Sequence, residues 1–524
     1  MENNLPDTWE LVKLVEQLNF MPTGVKEFEG TKKYFSTGSI QENEYTAEGE
    51  FTFSNRPSRA NRIGEIGDVL QARMKATDKG ILIDEKLDGQ LFSTGFLQVR
   101  PFGDTYNKRL LYYLIKSEFF LSQKNELATG STQEALTDNG ASEIEIPLPP
   151  IAEQNRIVEK LETVMQKVER NKHRLERIPI IVKQFRQSVL NAAVNGKLSE
   201  VWREQNKDVQ NIFDVIGSIT EQRKLDYENL INEMSLLGKS KPRKPENLIP
   251  TVTSIDDFPE TWGTMTFSDI SSTKQYSMSS GPFGSSLGTK DYKVNGVPVV
   301  RGQNIQGGLF IAKNFVFISN EKAIELTRSS AVPNDIVIVA VGVGVGNAAI
   351  IPNEIDRIIL SQNCNKFTLD SKVVVPKFIL FNLQVSNIKE QMDEVTTDTA
   401  REFLSLTNLK KLLFPIPPLE EQKEIVKQVE KLFAFADKLE ARYTKAKTMI
   451  DKLPQSILAK AFRGELVAQD PNDEPASVLL ERIKKEKEKL TAEKKGKKVN
   501  GFSKKEKPIK VAAEKKVKYK KAKV

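Results

Sequence analysis

PLPPIAEQNRIVEKLE, residues 147–162, returns as PIPPLEEQKEIVKQVE, residues 415–430, an offset of 268 positions. The offset holds without a gap through Pro149/Pro417, Glu153/Glu421, Gln154/Gln422, Ile157/Ile425, Gln187/Gln455, Ala193/Ala461 and Gly196/Gly464. Self-similarity of this length at fixed spacing marks a duplicated structural unit. Each copy begins as a helix should, with prolines that end the preceding strand and acidic residues in the first turn, where the helix dipole favours negative charge. Each ends at a glycine, Gly196 or Gly464, the expected C-terminal stop.

Between those limits apolar residues recur at alternating steps of four and three. The positions are Ile157, Leu161, Val164, Val168, Asn171, Leu175, Ile178, Val182, Phe185 and Val189 in the first copy. In the second they are Ile425, Val429, Leu432, Ala436, Leu439, Tyr443, Ala446, Ile450, Leu453 and Ile457. Nineteen of the twenty are apolar in a chain that is 39% hydrophobic, so the pattern is a coiled-coil seam and each copy is the other's natural partner. Asn171 either fixes register or marks a frayed or bent point near Pro179, which would kink the helix.

A segment of domain size precedes each helix, and the organisation expected is 1–146 domain, 147–198 helix, 199–254 partly helical linker, 255–414 domain, 415–466 helix, 467–524 C-terminal helix and Lys-rich tail. The domain edges echo each other, PDTWE (6–10) against PETWG (259–263), and Asp68 in IGDVLQARM stands where Asp335 stands in PNDIVIVAV, one residue off the common offset. Strand-like runs (96–99, 336–341) with one helix-like stretch each (107–121, 376–392) give a mixed α/β fold for both.

A chain of 524 residues needs several cores. Residues 481–524 hold 18 Lys, one Arg and six Glu, so of the net +8 a charge of +13 sits there and residues 1–480 carry −5. A main body of that charge binds nucleic acid through local basic loops rather than a globally positive surface, while the tail adds nonspecific phosphate affinity or only solubility. No apolar run is long enough to span a bilayer and MENNLPDTWE is unlike a signal peptide, so a cytoplasmic protein with no membrane partner is expected. The single cysteine, Cys364, excludes internal disulfides and thiolate clusters and is expected to be structural.

Catalytic patterns fail in turn. The one histidine, His173, falls on the charged face of the first helix, which removes His-based triads and zinc sites. GVGVGN (342–347) has Asn347 where a dinucleotide loop needs its third glycine, and reads as a tight turn after a strand. GKS (238–240) lacks the first glycine of a phosphate loop, position 233 being Glu233, and no Asn-Pro-Pro-aromatic or Asp-Pro-Pro-aromatic tetrapeptide of amino-methyltransferases occurs.

The plan of domain, helix, domain, helix, with Pro-Pro-x-x-Glu-Gln opening each helix, resembles the specificity subunits of type I restriction-modification systems. Close local matches are PLPPIAEQNRIVEKLE (147–162), QSVLNAAVNGKLSEVWRE (187–204), PIPPLEEQKEIVKQVEKLF (415–433) and QSILAKAFRGELVAQDPNDEPASVLLERI (455–483), and GPFGSSLGTKDYKVNGVPVVRGQNI (281–305) resembles the start of that family's target-recognition domains. The resemblance implies two α/β target-recognition domains joined by two long helices in an antiparallel coiled coil, a pseudo-twofold repeat. It implies a non-catalytic subunit whose domains each read one half of a bipartite, asymmetric site in double-stranded DNA. The helices would set the spacing and dock two modification subunits for adenine N6 methylation, with two restriction subunits adding cleavage. S-adenosylmethionine, ATP and Mg would be bound by those partners, and no cofactor or metal by this chain. Ile157 to Val189 is 33 residues, about 48 Å of ideal helix against about 34 Å for a turn of B-DNA.

Arginine can fork onto guanine or phosphate, which makes Arg56, Arg59 and Arg62 in SNRPSRANR and Arg73 and Lys75 in QARMKA the DNA-contact candidates of the first domain. Those of the second are Ser285, Lys290, Arg301, Gln303 and Asn304, with Thr399 and Arg401 in TTDTAR. Two other classes compete: a DNA-binding or scaffold protein without modification partners, discriminated by a modification-subunit gene beside this one, and a self-contained restriction-modification enzyme, disfavoured by the missing motifs.

Overall fold

In the computed structural model, which describes residues 5–41, 44–254, 258–395 and 403–499 and side chains to residue 488, the first copy of the repeat is two helices, α1 (Ile151–Glu176) and α2 (Ile178–Val194). After α3 (Ile212–Leu236), the second copy is one helix, α4 (Leu419–Ala461). The single first helix expected from the seam is thus broken at Arg177. Pro179 lies in the first turn of α2, where its missing N–H is harmless. α4 runs unbroken for 43 residues, with Pro454 in its interior, a length of about 64 Å. Among the described residues no helix is long and apolar enough to cross a membrane.

The chain divides into two compact units, residues 1–175 with 445–524, and residues 176–444. Each of the two domains is therefore grouped with the start of the helix that follows it and the end of the other copy's helix.

In the first unit the domain carries two four-stranded sheets. One has the order Gly49–Phe51, Lys32–Phe35, Leu91–Ser93, Ala60–Ile63, its central pair parallel; the other is antiparallel, Leu18–Phe20, Phe96–Pro101, Val69–Ala72, Gly80–Leu82. Glu10–Lys13 pairs antiparallel with Glu145–Leu148, so the strand that enters the domain lies beside the one that leaves it for α1. The helix expected over 107–121 is two, Lys108–Ile115 and Glu118–Glu126, because Ser117 caps a fresh start by accepting the Phe120 N–H. Leu148, Ile157, Leu161, Leu458, Ala461 and Phe462 share one buried cluster, which sets the beginning of α1 beside the end of α4: the helices run antiparallel.

The second unit repeats this topology strand for strand. Its sheets have the orders Val316–Ile318, Val297–Val300, Ile358–Leu360, Ser330–Ala331 and Met278–Ser280, Cys364–Phe367, Ile336–Val339, Ala348–Ile350, with the parallel pair in the same place. Gly263–Thr266 and Leu413–Ile416 form the closing pair, and the helical stretch is again split, Pro376–Asn382 and Ser386–Val395. Val189, Leu190 and Ala193 of α2 are buried with Ile425, Val426 and Val429 of α4, again antiparallel. The duplication therefore extends through the two domains.

The echoes at the domain edges and helix starts meet in space. Trp9 Nε1 donates to Glu153 Oε2 at 2.8 Å, and Trp262 Nε1 to Glu421 Oε2 at 3.0 Å. Gln154 accepts from the Asn107 N–H (2.7 Å) and donates to Pro149 O (2.9 Å); Gln422 accepts from the Val375 N–H (2.8 Å) and donates to Pro417 O (2.9 Å). The Glu-Gln dipeptide thus locks helix to domain, with all four side chains buried. Burial raises the Glu153 carboxyl pKa, while bonds from Trp9 and Gln469 oppose the rise.

The helix-ending glycines touch the same motifs. Gly464 has φ +75, and a Cβ there would lie 2.3 Å from Pro6 Cγ; Gly196 has φ +77, and a Cβ would lie 3.0 Å from Pro259 Cγ. Gly464→Ala is expected to destabilise the first unit by about 1–3 kcal/mol, from left-handed strain and the displaced proline ring. Thermal unfolding of the full chain checks this, and an unchanged transition would refute it.

Seam burial is uneven. Ile157, Leu161, Val168, Ile425, Val429 and Ile450 are buried, Val164, Leu175, Leu432 and Leu439 half-buried, and Leu453 is 42% exposed. The helix ends gain cover from the domains. Asn171 is exposed, so it is no buried register-fixing residue. The segment expected as a linker packs into the second unit. Ile212 and Ile219 of α3 join its core, and buried Arg223 bonds Asp370 Oδ2 (2.9 Å) and Asn247 O (2.7 Å). Ala476, Leu479 and Ile483 of the C-terminal segment are buried in the first unit, and residues 500–524 of the Lys-rich tail lie outside the described residues.

Candidate nucleic-acid interface

Each domain ends its parallel strand pair in a group of loops. In the second domain, Arg301 N–H donates to Asn304 Oδ1 (3.0 Å) and Asn304 Nδ2 donates to Ile311 O (3.0 Å) and Lys313 O (2.8 Å), which closes the turn 301–304. Beside it, GVGVG (342–346) joins two antiparallel strands, with Gly342, Gly344 and Gly346 at φ +94, +85 and +80. It is the tight turn the sequence suggested, and Val343 at its tip is wholly exposed. A Cβ on Gly302 would lie 4.0 Å from Val343 O, so turn and hairpin adjoin. GPFGSS (281–286) reaches the same end. A Cβ on Gly281 would lie 1.8 Å from Ser361 O, and the Ser361 N–H donates to Val300 O at 2.9 Å. Only glycine permits that approach.

The first domain builds the corresponding group. The Ser36 N–H donates to Ser39 Oγ (3.0 Å), the bond that Arg301 makes to Asn304, and Lys79 Nζ of the hairpin loop donates to Thr37 O (3.1 Å). The strand Ala60–Ile63 is antiparallel to Leu91–Ser93, so its beginning, with Arg59, lies at this same end; the Thr94 N–H donates to Arg59 O at 2.9 Å. Beneath the hairpin, Lys124 is fully buried and its Nζ donates to Ala72 O (3.3 Å), Met74 O (2.9 Å) and Thr77 O. Burial lowers its pKa to about 8, which leaves it an ammonium at neutral pH.

The candidates chosen from sequence separate on this geometry. Arg59 is exposed, with no side-chain hydrogen bond among the described residues. Arg62 is not a surface residue: it is 3% exposed, donates to Met21 O (2.7 Å), and burial lowers its pKa to about 10. Arg56 lies over the Phe53 ring at 4.0 Å and bonds Ala60 O (3.2 Å), so it braces its own loop. Arg73 ties Phe96 O (3.1 Å), Leu136 O (2.9 Å) and Asp138 together, and Lys75 is exposed but paired with Glu134 (2.7 Å).

In the second domain Ser285, Lys290 and Gln303 are exposed, Gln303 also donating to Asn314 O (3.1 Å). Arg301 is half-buried and donates to Asn314 O (2.9 Å). Asn304 is fully buried, and its side chain shapes the turn instead of facing outward. Thr399 and Arg401 lie outside the described residues. Sequence reading missed the turn 36–39 and Lys79. The signal was FSTGSIQ (35–41) against VRGQNIQ (300–306), an echo held by one Ile-Gln pair.

Cys364 is buried, which raises its thiol pKa to about 11, and His173 is exposed and 3.2 Å from Glu169. Among the described residues no cluster of His, Cys, Asp and Glu has the geometry of a metal site.

The family model of the type I restriction modification DNA specificity domain matches residues 6–179 and again 259–447. The specificity subunit of the type I restriction enzyme EcoBI of Escherichia coli is 32% identical over 392 residues, 73% of this chain and 72% of its own. That of EcoKI from Escherichia coli strain K12 is 29% identical over 386 residues, 71% and 70%. Among solved structures, the HsdS subunit of Thermoanaerobacter tengcongensis superposes with a TM-score of 0.56 at 20% identity, covering 88% of this chain and 98% of that one.

Proposed function

The chain belongs to the type I restriction-modification DNA specificity family, and on that premise we propose that its two recognition domains each read one half of a bipartite, asymmetric DNA site through the loops at the ends of their parallel strands. It is the target-selecting, non-catalytic subunit of its complex and acts with DNA and the other restriction-modification subunits. The finer assembly is two modification subunits docked on the helices, which methylate adenine at N6, with two restriction subunits for cleavage, in the cytoplasm. S-adenosylmethionine, ATP and Mg belong to those partners.

The observation that carries this reading is the same loop group in both domains with different side chains: Ser36, Thr37, Arg59 and Lys75 in one, Arg301, Gln303, Ser285 and Val343 in the other. One scaffold with two unlike reading surfaces suits a site with two unlike halves. The parallel-pair ends supply local basic and polar groups to a body whose net charge is negative, as phosphate contact and base readout require.

Methylome sequencing of the host and of a strain deleted for the gene tests it. Loss of N6-methyladenine at one bipartite motif is the expected result; an unchanged methylome refutes it. Arg59 is assigned to a phosphate. Arg59→Ala is then expected to weaken binding alike for cognate and unrelated duplexes and to lower the salt slope, d log K/d log [salt], by about 0.9. An unchanged slope, or a change in the motif, would sink that assignment.

A further inference from the structure

Lys124 is buried on the helix Glu118–Glu126, and its three N–H donors have three backbone carbonyls, those of Ala72, Met74 and Thr77. All three belong to the hairpin that carries Arg73 and Lys75. The neighbouring Asn125 accepts from the Ala76 N–H at 2.9 Å, and Ala76 holds a left-handed φ of +59. A left-handed alanine costs free energy and persists only where its surroundings fix it. Here two consecutive side chains of one helix fix it, by bonds to the backbone that leave the loop's outward side chains untouched.

The second domain supplies an internal comparison. The residue 268 positions after Lys124 is Met392, also on the helix beneath the hairpin and also buried. A Cβ on Gly346 would lie 3.2 Å from Met392 Sδ, so there the support is a thioether against glycine. One position of the repeat thus carries the chemistry that matches the loop above it. An ammonium gathers carbonyls turned inward; a flexible apolar side chain fills space under a glycine turn.

We propose that Lys124 is a positioning residue for base reading by the first domain, holding the carbonyls of the 72–77 hairpin inward so that exposed Lys75 meets one half-site in a single geometry, with Arg73 bracing the hairpin from within. The role rests on the DNA-reading function above. It requires that Lys124 alter the sequence preference of one half-site and leave the other alone, which a residue that only stabilised the fold would not do.

The test uses the full chain with its modification partners. Lys124→Met, the repeat's own residue, is expected to relax one or more positions of a single half-site in the methylome by about tenfold, with the other half-site and the spacer unchanged. A folded variant with the wild-type motif overturns the role while leaving DNA reading intact. Wild-type complex without any motif sinks the DNA-reading function, and the role with it. Should the variant not fold, reductive methylation of the wild-type complex decides. Lys124 protected while exposed Lys75 and Lys290 react supports the clamp; Lys124 modified at their rate overturns it.

Discussion

Asp335→Ala is expected to destabilise the second unit by about 3–5 kcal/mol, the cost of leaving a buried partner charge uncompensated. Asp335 is fully buried at the start of the strand Ile336–Val339 and accepts from Lys366 Nζ (2.9 Å), the Val332 N–H (3.0 Å) and Thr368 Oγ1 (2.6 Å). Lys366 has a side chain only 8% exposed, so water cannot replace the lost carboxylate. Asp335→Asn, which keeps an acceptor but not the charge, should fall between the wild type and alanine.

The repeat provides the control. Asp68 is equally buried and accepts from Arg100 Nε (2.5 Å), Gln98 Nε2 (2.6 Å) and the Glu65 N–H (3.0 Å). Arg100, however, is 29% exposed and also pairs with Glu65 at 2.8 Å, so Asp68→Ala should cost less, about 1–3 kcal/mol. Urea unfolding followed by Trp9 or Trp262 emission, in chains retaining one tryptophan, separates the two units. Equal losses at the two sites would show that burial of the partner charge does not set the cost.

Glu421→Ala is the second substitution with a large expected effect. It removes at once the acceptor of Trp262 Nε1 (3.0 Å), Ser199 Oγ (2.7 Å) and Arg203 Nε (3.0 Å), joining the domain edge, the segment after α2 and the start of α4. Three donors, one of them the Arg203 cation, lose their partner in a site 1% exposed, which again costs about 3–5 kcal/mol. Glu421→Gln keeps an oxygen for the indole and loses the pairing with Arg203, whose side chain is 24% exposed, so about 1–2 kcal/mol is expected. The same urea titration, read at Trp262, measures both. A glutamine variant as unstable as the alanine one would mean that charge, not the indole bond, holds this joint.

The amino-acid sequence by itself determined the duplication of the helical segments and their partnership, though not the break of the first copy at Arg177. A period of 3.5 residues sustained over ten seam positions is a local property, and the proline starts and glycine stops are local too. The recognition domains were legible only at their edges. Their strands are two to six residues long, too short for an alternating pattern to stand out, and their pairing joins residues far apart in the chain. Arg59 and Arg62 show what tertiary structure alone decided. They stand three residues apart in one basic run, but strand alternation turns Arg62 inward with Ala60 onto Met21 O, 41 residues away, and leaves Arg59 at the exposed end. Likewise nothing local to Lys124 distinguishes it from the other lysines of its helix-rich chain. Its burial under three carbonyls exists only once the hairpin 72–77 has folded over that helix, because a carbonyl's direction is set by backbone geometry and not by residue type.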